Sequence, residues 1–443
     1  MNLDKNKNFR MIGECITMSE KKNKERRRRE RTQKEEPKVN KISDVKMAYI
    51  MYGKKVFIIP IVIAIILGAV IWGIVYNARK NNAPQETADN QKEQINYIWG
   101  EIKPGKRNTN NFTTVTSSDG IEVPVPTGYT ASSASDEKSV NGGFVIYEGT
   151  EAVTDSNKWE AQCNRNQYVW IPIADVSDMY WRDQTTGKKY GTWYNFSKFA
   201  TTYAKGANRS YEPQTTSYDI QSTYLTQYLN GMSREDFLME MEIDFDKMLN
   251  SVATYGGFYI GRYEAGDLSQ ATPVVRRMNT NINYKTWYTM WKKARKLSGT
   301  SAGVQMIWGI QWDETMKWLI NTGEKTYSEV GSDSTSWGNY RNNSFTYYTD
   351  TSKNTATKAS NSRTKIPSGA YEGANANNVY DLAGNVWDWI LESNGSGADN
   401  YRYFRGGVYN DYGNNYPAAS RSGYYYPYSS TGYVGLRCTL FIK

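Results

Sequence analysis

The chain of 443 residues contains no histidine. That removes the commonest side-chain ligand for zinc, copper and non-haem iron and the commonest general base near neutral pH, so histidine-dependent triads and facial iron sites are excluded. Cysteine is scarce as well: Cys15, Cys163 and Cys438 are too far apart for any zinc-knuckle spacing. Cys163 and Cys438 could form one disulfide in an oxidising compartment, although a domain of this size does not need the staple. No P-loop, dinucleotide fingerprint, nucleophile elbow or internal repeat occurs. A surplus of one charge is missing from most of the chain. The net charge of +9 resembles a nucleic-acid signal, but residues 1–55 hold 17 Lys and Arg against 8 Asp and Glu and so carry all of it. The remainder is balanced, and no nucleic-acid partner is expected.

What is present divides in chain order. Residues 1–55 form a basic tail whose run Lys21 to Arg31 has no apolar periodicity and cannot bury a core. Residues 56–76 are 21 uncharged, largely apolar positions, and at 1.5 Å per residue a helix of roughly 30 Å matches a bilayer core. Lys54 and Lys55 precede this stretch and Trp72 and Tyr76 lie near its far end, as an interfacial belt requires. The long basic flank, the length of the run and the lack of a small-residue cleavage site favour a retained transmembrane helix over a signal peptide. The basic surplus keeps the N-terminus cytoplasmic and places the C-terminal domain outside the cell membrane. Residues 77–119, rich in Asn, Lys, Gln and Glu, read as a flexible stalk.

Low hydropathy with many Tyr, Asn, Ser and Thr then suggests one loop-rich domain over residues 120–443. Runs at 143–147 and 167–173 have strand composition. Residues 175–232 show no period of two or 3.6 and read as a surface insertion, either a ligand face built on Tyr180, Trp181, Tyr190, Trp193 and Tyr194 or a cover for the domain's side. Ser233 with Glu235 and Asp236 predicts a helix start, and Phe237, Met241, Phe245, Met248, Leu249 and Val252 follow at helical spacing until Gly256 and Gly257. A strand is expected over 258–264, helices over 284–297 and 311–320, and polar loop over 340–370.

The stretch Asn378 to Ile390 combines a turn, oxygen ligands and core aromatics. Asp381 and Asp388 flank Gly384, whose tolerance of positive φ lets a backbone fold back and aim carbonyls at one point. Two carboxylates plus carbonyls make a hard-cation site, and Ca2+ accepts such mixed oxygens without rigid geometry. The same residues also read as an Asp-Gly turn beside two buried tryptophans.

Asp381-Leu-Ala-Gly-Asn-Val-Trp-Asp-Trp389, Phe404-Arg-Gly-Gly-Val-Tyr409, Ala419-Ser-Arg421 and Gly435-Leu-Arg-Cys438 together resemble the C-terminal signature of the formylglycine-generating, or sulfatase-modifying factor, family. Arg262-Tyr-Glu264 and Trp337-Gly-Asn339 are similar to further family segments. The resemblance implies an irregular α+β, C-type-lectin-like domain. It also implies calcium bound by the side chains of Asp381 and Asp388 and the carbonyls of Gly384 and Val386. The family's enzymes oxidise a cysteinyl peptide with copper held by two thiolates, soft ligands suited to Cu(I). The matching positions here fall at or near Gly413 and Ala418, which carry no sulfur, so copper and the family's oxidoreductase activity are not expected. Cys438 matches a family position outside that pair.

Around those positions, eight of the 25 residues from Tyr409 to Tyr433 are Tyr, mixed with Asn, Ser, Asp and Gly. This is paratope composition, and it resembles the variable surface of targets of diversity-generating retroelements; the cluster also reads as an extreme of a Tyr bias that runs through the whole domain. Tyr409, Asn410, Tyr412, Asn414, Tyr424, Tyr425, Tyr426 and Tyr428 are the candidate contacts for an extracellular protein or glycan ligand, while Arg405, Arg421 and Arg437 are assigned to internal structure. The expectation is a single-pass bacterial surface protein with a binding role. The alternative is an oxidase of cysteinyl peptides.

Overall fold

The structure is a computed structural model that describes residues 104–179, 181–182, 192–193, 227–267, 270–280, 284–393 and 402–443. The chain divides into units Met1–Thr87 and Ala88–Lys443, and every described residue belongs to the second. The expected tail, membrane helix and most of the stalk lie outside the described residues. Among the described residues no helix is long and apolar enough to cross a membrane.

The fold starts earlier than residue 120. Strand β1 (Phe112–Thr116) pairs antiparallel with β2 (Glu122–Pro126), Phe112 opposite Pro126. The expected stalk is therefore corrected to end before residue 112. The signal was small: Phe112 and Val115 are isolated among threonines, and only pairing with the buried Val123 and Val125 gives them a core to join.

Next come β3 (Tyr129–Ala131), β4 (Val145–Glu148), α1 (Lys158–Asn164) and β5 (Gln167–Pro172). Inside the region read as an insertion, β6 (Trp181–Arg182) pairs with β7 (Thr192–Trp193). Helix α2 (Arg234–Tyr255) begins where Ser233 accepts a hydrogen bond from the backbone N–H of Asp236 at 3.0 Å, and it ends at Gly256, as the glycine pair predicts. Its six predicted apolar positions are all buried, and each such side chain stabilises the fold by about 1.5–3 kcal/mol. Strand β8 (Gly257–Gly261), α3 (Trp287–Ala294), β9 (Ala302–Met306), α4 (Gly309–Asn321) and α5 (Tyr327–Gly331) follow. The predicted polar loop at 340–370 contains a hairpin, β10 (Phe345–Tyr348) with β11 (Thr355–Lys358), whose Phe345 packs with Ile366 and Ala370 in a small second core. A short ribbon, β12 (Asn375–Ala376) with β13 (Val379–Tyr380), leads into β14 (Trp387–Ser393), β15 (Arg402–Arg405), β16 (Arg421–Tyr425), β17 (Val434–Leu436) and β18 (Cys438–Ile442).

Two sheets organise the domain. The larger runs β3-β4-β5-β8-β18-β9, with every neighbouring pair antiparallel. The last strand lies between β8 and β9, so the C-terminal residues close the sheet from inside. The smaller runs β16-β15-β14-β17, with β14 and β17 parallel. Helix α4 buries Trp312, Met316 and Leu319, and α3 buries Trp287 and Trp291, whose rings stack 6.4 Å apart. Irregular connections at the head of the smaller sheet carry both sequence-predicted sites.

Candidate functional site

The loop between β13 and β14 is wound by left-handed backbone at Asn378, Asp381, Gly384 and Asn385, with φ of 65°, 59°, 75° and 57°. At Gly384 a Cβ would lie 2.4 Å from the carbonyl oxygen of Asn339, so both its φ and its neighbour require glycine. Asn339 reciprocates: its carbonyl accepts from the Asn385 N–H at 3.0 Å and its side-chain amide donates to Asn385 Oδ1 at 3.0 Å. Glu264, on the segment after β8, grips the loop from below. One carboxylate oxygen accepts from the Val386 N–H at 3.1 Å and the other from the Asn385 side chain at 2.7 Å.

Asp381 and Asp388 are both buried here. Oδ2 of Asp381 accepts from the Ser368 hydroxyl at 3.0 Å and the Gly369 N–H at 2.7 Å, and Oδ2 of Asp388 accepts from Arg437 Nε at 2.9 Å. The other oxygen of each, Oδ1, is buried without a hydrogen-bond partner, which costs about 1–3 kcal/mol or more for a charged group. Arg437 also donates to the carbonyls of Gly261, Tyr380 and Asp381, so it fixes the loop's first residue as well as its last. Burial pushes the Asp388 carboxyl up to about 6, against the pull of Arg437 and helped by Asp381. Burial likewise raises Asp381, and it raises Glu264 with Asp381 and Asp388 adding to the effect.

Three buried carboxylates thus lie within electrostatic reach of one another; the Arg437 guanidinium is hydrogen-bonded to that of Asp388, while Arg277 acts on Asp381 and Lys365 on Glu264 only at longer range. Two orphaned hard oxygens beside uncompensated negative charge are the chemistry a divalent cation satisfies. Among the described residues no group of three or more acidic or sulfur side chains is spaced to hold a metal by itself. A cation here would lean on backbone carbonyls, and those of Gly384 and Val386 belong to the same loop.

The tyrosine-rich segment is tied to this loop at its start and near its end. The Gly384 N–H donates to the Gly406 carbonyl, the Tyr409 N–H to the Asn385 carbonyl, and the Trp387 N–H to the Tyr433 carbonyl, at 2.7, 3.0 and 2.9 Å. The Tyr340 hydroxyl lies 2.8 Å from the carbonyl oxygens of both Gly406 and Tyr416, which share its one hydrogen, and Trp312 Nε1 donates to the carbonyl of Ala418 at 3.1 Å. The Trp287 N–H holds the Pro427 carbonyl and the Tyr284 N–H that of Thr431.

The candidate contacts divide on this frame. Asn414 is exposed, and Asn410, Tyr412, Tyr426 and Tyr428 are half-buried at the surface, with Tyr426 and Tyr428 stacked at 5.0 Å. Arg341 lies over the Tyr412 ring at 5.3 Å. Tyr425 packs against Phe404 and Trp389, and Tyr409 also packs against the core while its ring lies 6.0 Å from that of Tyr433. For Tyr424 only the backbone, in β16, is described. Two participants had no site role in the sequence: Glu264 beneath the loop, marked only as part of the family-like Arg262-Tyr-Glu264 segment, and Tyr284, 68% exposed beside Gly432. Both reach the site from over 100 residues away, so no local spacing points to them. Arg405, Arg421 and Arg437 are all buried; Arg405 pairs with Asp313 at 2.5 Å, and Arg421 lies 3.4 Å over the Tyr403 ring.

At the thiol positions, Gly413 is buried so closely that a Cβ would meet the Thr335 backbone nitrogen at 2.5 Å, and Ala418 is fully buried. Both Cys163 and Cys438 are free thiols, the first half-buried and the second buried.

A family model described as the sulfatase-modifying factor enzyme 1-like domain matches residues 130–441. The chain belongs to that family. Two solved structures are similar to it. One titled "Crystal Structure of CarF" is 15% identical, with 42% of this chain and 87% of that one covered and a TM-score of 0.26. The other, Treponema denticola variable protein 1, is 14% identical, with 42% and 84% covered and a TM-score of 0.25. No curated protein matches.

Proposed function

We propose that the chain is a membrane-anchored, extracellular binding protein that uses the sulfatase-modifying factor scaffold to present residues 409–433 to a protein or glycan ligand. The observation that carries this reading is the hydrogen-bonding of the segment's start and its end to one buried loop, with polar and aromatic side chains left at the surface between. Rigid tyrosines offer large contact area at low entropy cost, and a pinned backbone lets individual side chains change without moving the frame. Asn410, Tyr412, Asn414, Tyr426 and Tyr428 are the leading contacts. Tyr409 and Tyr425, which pack on the core, and Tyr424, at the edge of the smaller sheet, would set its shape.

Calcium is the proposed structural ion, held by Asp381 and Asp388 through side chains and by Gly384 and Val386 through carbonyls. It would satisfy the orphaned Oδ1 atoms and balance the charge that Arg437 leaves. The residue types at Gly413 and Ala418, and the space around Gly413, favour binding over the family's copper chemistry. Anchoring rests on the apolar run at 56–76, flanked by basic residues on its N-terminal side.

Deep sequencing of codons 409–433 across one clonal population and its close isolates tests the display role, with variation confined to those codons as the expected result. Invariance, together with turnover of a cysteinyl peptide in the presence of copper, would overturn it in favour of the oxidase reading.

A further inference from the structure

Far along the chain from the tyrosine segment, a groove of about 510 Å3 opens between the end of α2, the last residues of β18 with Lys443, and the irregular stretch 104–108 where the described chain begins. Helix α2 turns one face to it, with Lys247, Asn250 and Ser251, then Thr254 and Tyr255, falling at steps of three to four residues along one wall. The walls are fastened. The Gly105 N–H donates to Thr254 Oγ1 at 2.8 Å, Arg107 Nε to the Thr254 carbonyl at 3.2 Å, and the Ile442 N–H to Ser251 Oγ at 3.0 Å. Asn111 holds the carbonyl oxygen of Lys443 at 2.7 Å.

Its chemistry is lopsided. Tyr255, Phe441 and Ile442 give an apolar floor, while Lys106, Lys247 and Lys443 stand at the rim, and among the described residues no acidic side chain lines the space. Arg107 adds a fourth cation beside it, over the Tyr255 ring at 5.9 Å. Lys443 Nζ is engaged by the Gly299 carbonyl at 2.7 Å, which leaves Lys106 and Lys247, both exposed, as the reaching groups. A wholly apolar ligand would leave the lysines unused, and a bare anion would leave the floor wet.

We propose that this groove binds an amphipathic anion: a phosphate-headed molecule whose charge meets Lys106 and Lys247 and whose hydrocarbon lies on Tyr255, Phe441 and Ile442. Screened surface attraction and a small apolar contact together give a weak, salt-sensitive site. The chemistry is shared by a membrane phospholipid and a free organic phosphate. The inference is independent of the display reading, because the groove shares no residue with the tyrosine segment or its loop.

The test is calorimetry of the purified full chain with three probes below their micellar concentrations: dihexanoyl phosphatidate, dihexanoyl phosphatidylcholine and inorganic phosphate. Phosphatidate is expected to bind saturably, with the other two at least about tenfold weaker. Raising salt from about 50 to 300 mM should weaken phosphatidate binding, as should the exposed double substitution Lys106→Glu/Lys247→Glu, again by about tenfold. Displacement of the bound probe by phosphatidylglycerol vesicles and not by phosphatidylcholine vesicles supports a bilayer source; retention supports a free amphiphile. Equal binding of phosphatidylcholine, equal binding of inorganic phosphate, or no saturable binding would each overturn the proposal, and the salt series on the unaltered protein decides the matter even if the variant misfolds.

Discussion

The loop at 381–388 and the segment at 409–433 touch each other, yet they solve opposite problems. The loop is fully buried, and its polar groups are held by partners from several elements, among them Glu264, Arg437, Asn339 and Ser368, with only the Oδ1 atoms of Asp381 and Asp388 left over. The segment is half-exposed and aromatic. Its backbone is fixed by Tyr340, Trp312 and the loop, while several of its rings meet the solvent. A scaffold that must keep its shape while its surface changes needs this division, with fixed geometry below and adaptable side chains above. In the loop a substitution strands a buried charge. In the segment it removes an area of contact.

The largest effect should come from breaking the buried pair that closes the loop. Asp388→Ala or Arg437→Met leaves the other charge unpaired, and urea unfolding should show a loss of about 3–5 kcal/mol. An effect under about 1 kcal/mol would mean that the loop does not support the fold. Calcium removal comes next. A saturating ion at about 100 times its dissociation constant stabilises by roughly 2.7 kcal/mol, so chelator should lower Tm by several degrees, and an unchanged melt removes the cation from the loop.

The cation-free protein should also respond to acid in a particular direction. Burial lifts Asp388 to about 6, above the usual 3.8. The folded form then takes up its proton before the unfolded form does, so stability rises as pH falls from about 6 towards 4. With calcium bound the carboxylate is held charged in the folded form, so this gain is absent: stability should stay level over the same window and fall only as pH drops through the unfolded value of 3.8. Parallel pH titrations of unfolding, with chelator and with calcium, check this difference; two curves of the same slope would contradict it.

Gly413→Cys, which restores sulfur at one family position, is expected to destabilise by about 1–3 kcal/mol because its Cβ meets the Thr335 backbone. Copper-dependent oxidation of a cysteinyl peptide by this variant would speak against a binding role. The smallest stability effect belongs to Tyr426→Ala with Tyr428→Ala, where the half-exposed stacked pair should cost about 1 kcal/mol or less. The same double variant should lose the most in ligand affinity, measured by cell-surface capture of the partner. The opposite pattern, a large stability loss with binding unchanged, would move the display surface elsewhere.

The turn at 381–388 was legible because Gly384 lies between Asp381 and Asp388 within eight residues, and left-handed backbone at 381, 384 and 385 winds it; the ligand roles of Asp381, Gly384, Val386 and Asp388 came from the family resemblance and belong to the proposal. Glu264 was marked only as part of a family-like segment, and its place beneath the loop was not legible because it lies more than 100 residues upstream. The helix at 234–255 was legible from its cap and its apolar spacing. The hairpins at 112–126 and 345–358 were not, since short polar strands announce themselves only through the partners they meet. Among the tyrosines, composition marked the segment as a whole but gave no means to separate Tyr425, packed on Phe404 and Trp389, from Tyr426, stacked with Tyr428 at the surface.

The sequence alone determined the family, the local turn at 381–388 and the chemical character of residues 409–433, because each depends on residues close together in the chain. Tertiary structure decided which carboxylates face one another without enough cations, which tyrosines are structural, and that Lys106, Lys247 and Lys443 share the rim of one groove. The physical reason is the same in each case. Charge balance, burial and concavity are properties of neighbours in space, and in this fold the decisive neighbours arrive from opposite ends of the domain, with β18 closing the larger sheet from its middle.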